Sequence, residues 1–157
     1  MKGIEGGGLV DANVVLRFLT ADHPEMYARA RAVMLRAERG EMRFYLSPLT
    51  VAEVVWTLDS FYGLPRRSIA ARLMQFLCAD GIEAEERDIL IQALLDYEEK
   101  NVDFADAYLA RHAERLGPPR VCRFDLKHFQ RLGVETLPPV ETASPPEGAA
   151  RPPGGSG

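Results

Sequence analysis

Residues 9–19 read LVDANVVLRFL. Leu9 and Val10 end a short apolar run, Asp11 follows, and from Asn13 the pattern changes to that of a helix. A strand that carries a carboxylate at its own tip, directly before a helix, is one half of a strand–helix unit. The question is whether other parts of the chain repeat it. Residues 120–125, RVCRFD, do: a second short apolar stretch ends on Asp125.

Helices fill most of the sequence between these two stretches. Residues 13–20 predict a short helix with Asn13 as its N-cap, which leaves Asp11 spare. His23-Pro24 begins a second helix, since proline suits the first helical position, and Gly40 ends it. MRFYLS, residues 42–47, reads as a strand. SPLTVAEVVWTLDSFYG is a well-marked helix, with Ser47 as cap, Pro48 at the first position and Gly63 as stop. Further helices are expected over residues 64–80, closed by Gly81, over residues 85–99, and from Val102 to a stop at Gly117. GVETL, residues 133–137, is a candidate last strand. Helices alternating with short apolar strands predict an α/β fold, a three-layer sandwich with a short, mainly parallel central sheet flanked by helices. Ligands of such sheets bind at the carboxyl ends of the strands, where Asp11 and Asp125 stand.

The bulk properties agree with one such domain. The chain has 157 residues and is 46% hydrophobic, enough for a proper core. Residues 1–7 read as a flexible lead-in and 8–137 as the domain. Residues 138–157, rich in Pro, Gly, Ala and Ser, read as a disordered tail, because they cannot bury enough apolar surface to offset their ordering entropy. The formal net charge of −4 excludes a uniformly basic nucleic-acid binder, but not a local basic rim or a metal held by acids. Two cysteines, Cys78 and Cys122, form no CxxC pair, so neither a disulfide framework nor a zinc ribbon is expected. No signal-peptide apolar region and no stretch of roughly 18 apolar residues is present, and a cytoplasmic location off the membrane is the expectation.

Four acids stand out, and each has a plain structural reading beside the chemical one. Asp11 either caps the following helix or faces a site. Glu53 follows Thr50 by three, the capping-box spacing; with Ser47 as the cap, Glu53 falls in the second turn among Val51, Val54 and Val55, where desolvation of a carboxylate is costly. Asp103 and Asp106 share a helix face and both suit the helix dipole. Asp103 is the better cap, and Asp106 lies one turn in. Asp125 repeats the Asp11 pattern. Such a set repels itself unless a cation binds there. All-oxygen ligands suit Mg²⁺ or Mn²⁺, which polarise phosphoryl oxygens and generate hydroxide near neutral pH.

Taken together, LVDANVVLRFL, LSPLTVAEVVWTL, NVDFADAYLARHAERLG and VCRFDLKHFQRLGVE resemble a PIN domain, and more narrowly the VapC-type toxins of bacterial toxin–antitoxin pairs. The resemblance spans roughly residues 8–137. It implies a Mg²⁺- or Mn²⁺-dependent endoribonuclease whose catalytic and metal-binding acids are Asp11, Glu53, Asp106 and Asp125, with Asp103 secondary. It also implies a homodimer and a small antitoxin partner. Asn13 and Thr50 are supporting residues beside these acids. One position departs from the family pattern: Arg123 stands where Thr or Ser is usual, two residues before the fourth acid. Because strand side chains alternate, Val121, Arg123 and Asp125 share a face. Arg123 then either forms a salt bridge in place of metal or anchors RNA phosphate.

The remaining polar candidates are weaker. Lys127 and His128 follow Asp125 and are placed to touch phosphate. Arg66, Arg67 and Arg72 form a basic stripe, read either as a solvated face or as an RNA-backbone contact, with Arg66 and Arg67 taken as candidate contacts. His112 reads as a solvated residue. Trp56, Phe61, Tyr62, Met74, Phe76 and Leu77 read mostly as core. Two other functions fit parts of the pattern. A metal-dependent phosphohydrolase or phosphoacceptor would use Asp11, but DAN lacks a second Asp and no receiver lysine is evident. A catalytically weak RNA-binding or scaffold protein on the same fold is favoured by Arg123.

Overall fold

Ser47 and Pro48 start a helix as the sequence predicts. Ser47 Oγ accepts the Thr50 N–H at 3.2 Å, satisfying one of the donors that a helix start leaves free. The computed structural model describes residues 6–125 and 129–139. Its elements in order are β1 (Gly7–Leu9), α1 (Ala12–Thr20), α2 (Pro24–Glu38), β2 (Arg43–Leu46), α3 (Pro48–Ser60), α4 (Arg66–Leu77), β3 (Ile82–Ala84), α5 (Arg87–Glu99), α6 (Phe104–Leu116), β4 (Arg120–Cys122) and β5 (Glu135–Leu137). A 3-10 turn, Phe129–Leu132, precedes β5.

Among the described residues every strand pairing is parallel. β2 lies between β1 and β3, while β4 pairs with β5. The short parallel strands flanked by helices are those expected of the α/β sandwich. Among the described residues they form a three-stranded and a two-stranded sheet rather than one continuous sheet.

Two glycines make close approaches possible. A Cβ on Gly7 would lie 1.9 Å from the Arg43 carbonyl oxygen, so β1 pairs with β2 only because Gly7 has none. The glycine run read as lead-in therefore contributes residues to β1. Gly81, with φ +79°, brings β3 against α2; a Cβ there would lie 2.5 Å from the Ala37 oxygen. The strand β3 has no counterpart in the sequence reading.

Val15, Val51, Leu58, Ile69, Leu90 and Phe104 are fully buried at the centre of the core. Each contributes roughly 1.5–3 kcal/mol by leaving water. Phe76 and Leu77 are buried as expected, but Trp56 and Phe61 are exposed. Both lie on the solvent side of α3 and its end, because Val51, Val54, Val55 and Leu58 take the inward stripe. Cys78 and Cys122 are free and exposed.

Candidate active site

The backbone N–H of Val10 donates to the Tyr45 carbonyl at 3.0 Å, extending the β1–β2 ladder to the residue before Asp11. Asp11 then occupies the N-cap position of α1, with φ −82° and ψ 152°. Its carbonyl accepts the N–H groups of Val14 and Val15 at 3.1 and 3.3 Å. The sequence reading put the cap at Asn13; the structure puts Asn13 inside α1, exposed. The Asp11 side chain nevertheless makes no capping bond. It is exposed at the carboxyl end of β1.

Glu53 lies in α3, which begins directly after β2. Val51, Val54 and Val55 are buried, while Glu53 is exposed. The carboxylate is therefore solvated and not desolvated by its apolar neighbours. Thr50 faces Ser47, hydroxyl to hydroxyl at 3.2 Å, within the cap.

Asp103 takes the N-cap position of α6, as expected, without a side-chain cap bond. Asp106 lies in the first turn of the same helix, half-buried. It meets Arg123: Nη1 of the arginine lies 3.1 Å from Asp106 Oδ1, and Nη2 lies 3.9 Å from Asp125 Oδ2. The guanidinium carbon stands 4.2 Å from the centre of the Phe129 ring. Arg123 thus projects to the acid side, as strand alternation predicts.

α6 is fixed by a buried charge. Asp96 on α5 is 4% exposed, the one buried polar or charged residue among those described. It accepts Arg111 Nε at 2.6 Å and Nη2 at 2.9 Å, and Lys100 Nζ lies 3.0 Å away. Burial pushes the Asp96 carboxyl up, but Arg111 and Lys100 together hold it below the usual carboxylate range. This clamp joins α5 to the helix that carries Asp103 and Asp106. The sequence reading missed it. The available signal was an acid on the same helical stripe as Ile89, Ala93 and Tyr97.

Other polar residues are committed to the fold. Arg66 Nη1 donates to the carbonyls of Tyr97 and Val102 at 3.0 and 2.6 Å, and its guanidinium lies over the Tyr97 ring. Arg72 donates to the Leu19 carbonyl and to Ser68 Oγ. The basic stripe is therefore divided, with Arg67 exposed beside these two inward-tied arginines. His112 is not simply solvated, since Nδ1 lies 3.2 Å from Glu86 Oε1. The Tyr108 hydroxyl donates to the same glutamate, and burial together with that bond pushes the phenol up to about 12. Lys127 and His128 lie outside the described residues.

A sequence model of the PIN domain matches residues 8–135. The chain belongs to the PIN domain family. PIN domains are generally metal-dependent nucleases, usually with divalent metals such as Mg²⁺, and they bind nucleic acid. No curated protein matches the chain. The matched region runs from β1 to β5 and contains Asp11, Glu53, Asp103, Asp106 and Asp125. Among the described residues, however, no three His, Cys, Asp or Glu side chains gather as a metal-holding group. As placed, these acids do not gather round a single ion, and among the described residues Arg123 stands beside Asp106 and Asp125. No helix among the described residues is long and apolar enough to cross a membrane.

Proposed function

We propose that this PIN domain is an endoribonuclease and the toxin of a toxin–antitoxin pair. The observation that carries the reading is Asp11. Its carboxylate stands exposed at the carboxyl end of a parallel strand and makes no bond to the helix it precedes. That is the region where α/β folds bind ligands. Glu53 presents a second solvated carboxylate from the helix that follows β2. Open carboxylate oxygens accept hydrogen bonds from water and can orient it toward a phosphodiester. Asp106 and Asp125 supply further acids, tied at present to Arg123. Arg67, with Lys127 and His128, is assigned to phosphate contacts.

Mg²⁺ or Mn²⁺ is the proposed cofactor, on the strength of what PIN nucleases generally use. A homodimer and a small antitoxin are the proposed protein partners, with a cytoplasmic site of action. Support comes from the resemblance of the motifs and from apolar surface. Trp56 and Phe61 are exposed along and beyond α3, and a groove of about 470 Å³ between α1 and α2 is lined by Leu9, Val14, Met26 and Val33.

A second reading, an RNA-binding or scaffold protein with weak catalysis, is favoured by the Arg123 pairing with Asp106 and Asp125. Incubation of the full chain with RNA in Mg²⁺ or Mn²⁺ separates the two. The nuclease reading expects endonucleolytic products that Asp11→Asn abolishes. Binding without products would establish the second reading.

A further inference from the structure

Arg123 is held from three directions. Its backbone N–H donates to the Leu137 carbonyl at 3.0 Å, which fixes the residue against β5. Its guanidinium stacks on Phe129, whose ring is fully buried and so offers a rigid platform. Its Nη1 meets Asp106 at 3.1 Å, with Asp125 at 3.9 Å from Nη2. The arginine side chain is 19% exposed. We propose that Arg123 is a built-in counter-cation that competes with divalent metal for the Asp106 carboxylate, so that a metal site forms in this chain only when the guanidinium withdraws.

The charges favour this competition and keep it reversible. The Asp106 carboxylate carries one negative charge, and the Arg123 guanidinium meets it with one positive charge. A divalent ion brings twice that positive charge, but it binds carboxylate oxygen at about 2.0–2.1 Å and would bring its charge against the guanidinium already there. The two cations therefore exclude each other at Asp106. The arginine's own grip is incomplete, because its buried Nε–H has no hydrogen-bond partner among the described residues. An unpaired buried donor is unfavourable, and withdrawal toward solvent relieves it. The inference rests on the nuclease reading for its choice of metal, but metal affinity in RNA-free protein is measured independently of cleavage.

The test is calorimetric titration of Mn²⁺ into the full chain and into Arg123→Thr, Arg123→Met and Arg123→Lys. Methionine keeps an unbranched side chain over Phe129 and removes the charge, which guards against a fold defect in the threonine variant. A guanidinium in contact with Asp106 repels an incoming divalent ion, and removing its charge removes that repulsion. The neutral variants are accordingly expected to bind Mn²⁺ about tenfold more tightly than the parent, while Arg123→Lys stays as weak as the parent. In an Asp106→Asn background the gain should vanish. Unchanged or weaker Mn²⁺ binding in a neutral variant that melts cooperatively overturns the proposal. So does a gain that survives Asp106→Asn. Tighter Mn²⁺ binding without RNA cleavage leaves the proposal standing and defeats the nuclease reading instead.

Discussion

Replacing Asp96 by Ala tests whether a buried charge holds the site-bearing helix in place. Asp96 accepts two hydrogen bonds from Arg111, at 2.6 and 2.9 Å, and pairs with Lys100 at 3.0 Å. Removing one partner of a buried ion pair costs about 3–5 kcal/mol, because the other charge is left desolvated. Arg111 is 17% exposed and keeps Glu114 at 2.7 Å, which lowers the cost to about 2–3 kcal/mol. For a domain of this size each kcal/mol lowers the melting temperature by roughly 4 °C, so the fall should be about 8–12 °C at pH 7. The loss should depend on pH in a definite direction. The carboxyl is held below its ordinary value of about 3.9, so its stabilising effect is complete above that pH and is lost as pH falls through the depressed value. Thermal unfolding followed by circular dichroism at pH 7 and near pH 3 measures both effects. The gap between parent and variant should be wide at pH 7 and narrow in acid. A gap below about 1 kcal/mol at pH 7, or one that widens in acid, refutes the clamp.

Further outcomes follow from the same contacts. Asp11→Asn should leave the melting temperature unchanged, because the side chain makes no capping bond, whereas Asp106→Asn gives up the Arg123 pair and should cost up to about 1 kcal/mol. Arg66→Ala should destabilise by about 2 kcal/mol, because two backbone carbonyls lose a charged donor; Arg67→Ala should leave the melting curve in place and weaken RNA binding most at low salt, as filter binding would show. A chain ending at Pro139 should keep its melting temperature and any RNA cleavage, since residues 140–157 carry the composition of a tail; aggregation of the shortened chain would show that the tail packs on the domain.

Local signals were the readable ones. The Ser47–Pro48 start of α3, the His23–Pro24 start of α2 and the Asp103 cap position of α6 are written within a few neighbouring residues, and each is where the sequence places it. The Arg123 direction was also legible, because alternation along an extended segment needs only the residue count. Strand β3 was not, because residues 82–84 offer a single buried isoleucine between a glycine and acids, and the strand exists by pairing with β2. The Asp11 and Asn13 roles were exchanged because both residue types cap helices well and only backbone geometry separates them. Long-range pairs were hidden for another reason. Asp96 and Arg111 lie fifteen residues apart on different helices, and Arg66 reaches carbonyls more than thirty residues away. Such partners are set by how helices pack, which no local pattern records. The candidate acids rest on motif resemblance, and the pairing of two of them with an internal arginine became visible only through the Asp106 and Asp125 distances.

The nuclease assignment is tested most directly by one assay. Purified full chain is incubated with a mixed RNA pool in millimolar Mn²⁺, beside Asp11→Asn and a chelated control. The account predicts discrete endonucleolytic products from the parent chain and none from either control. Intact RNA in every lane, or products that persist with Asp11→Asn, would contradict it.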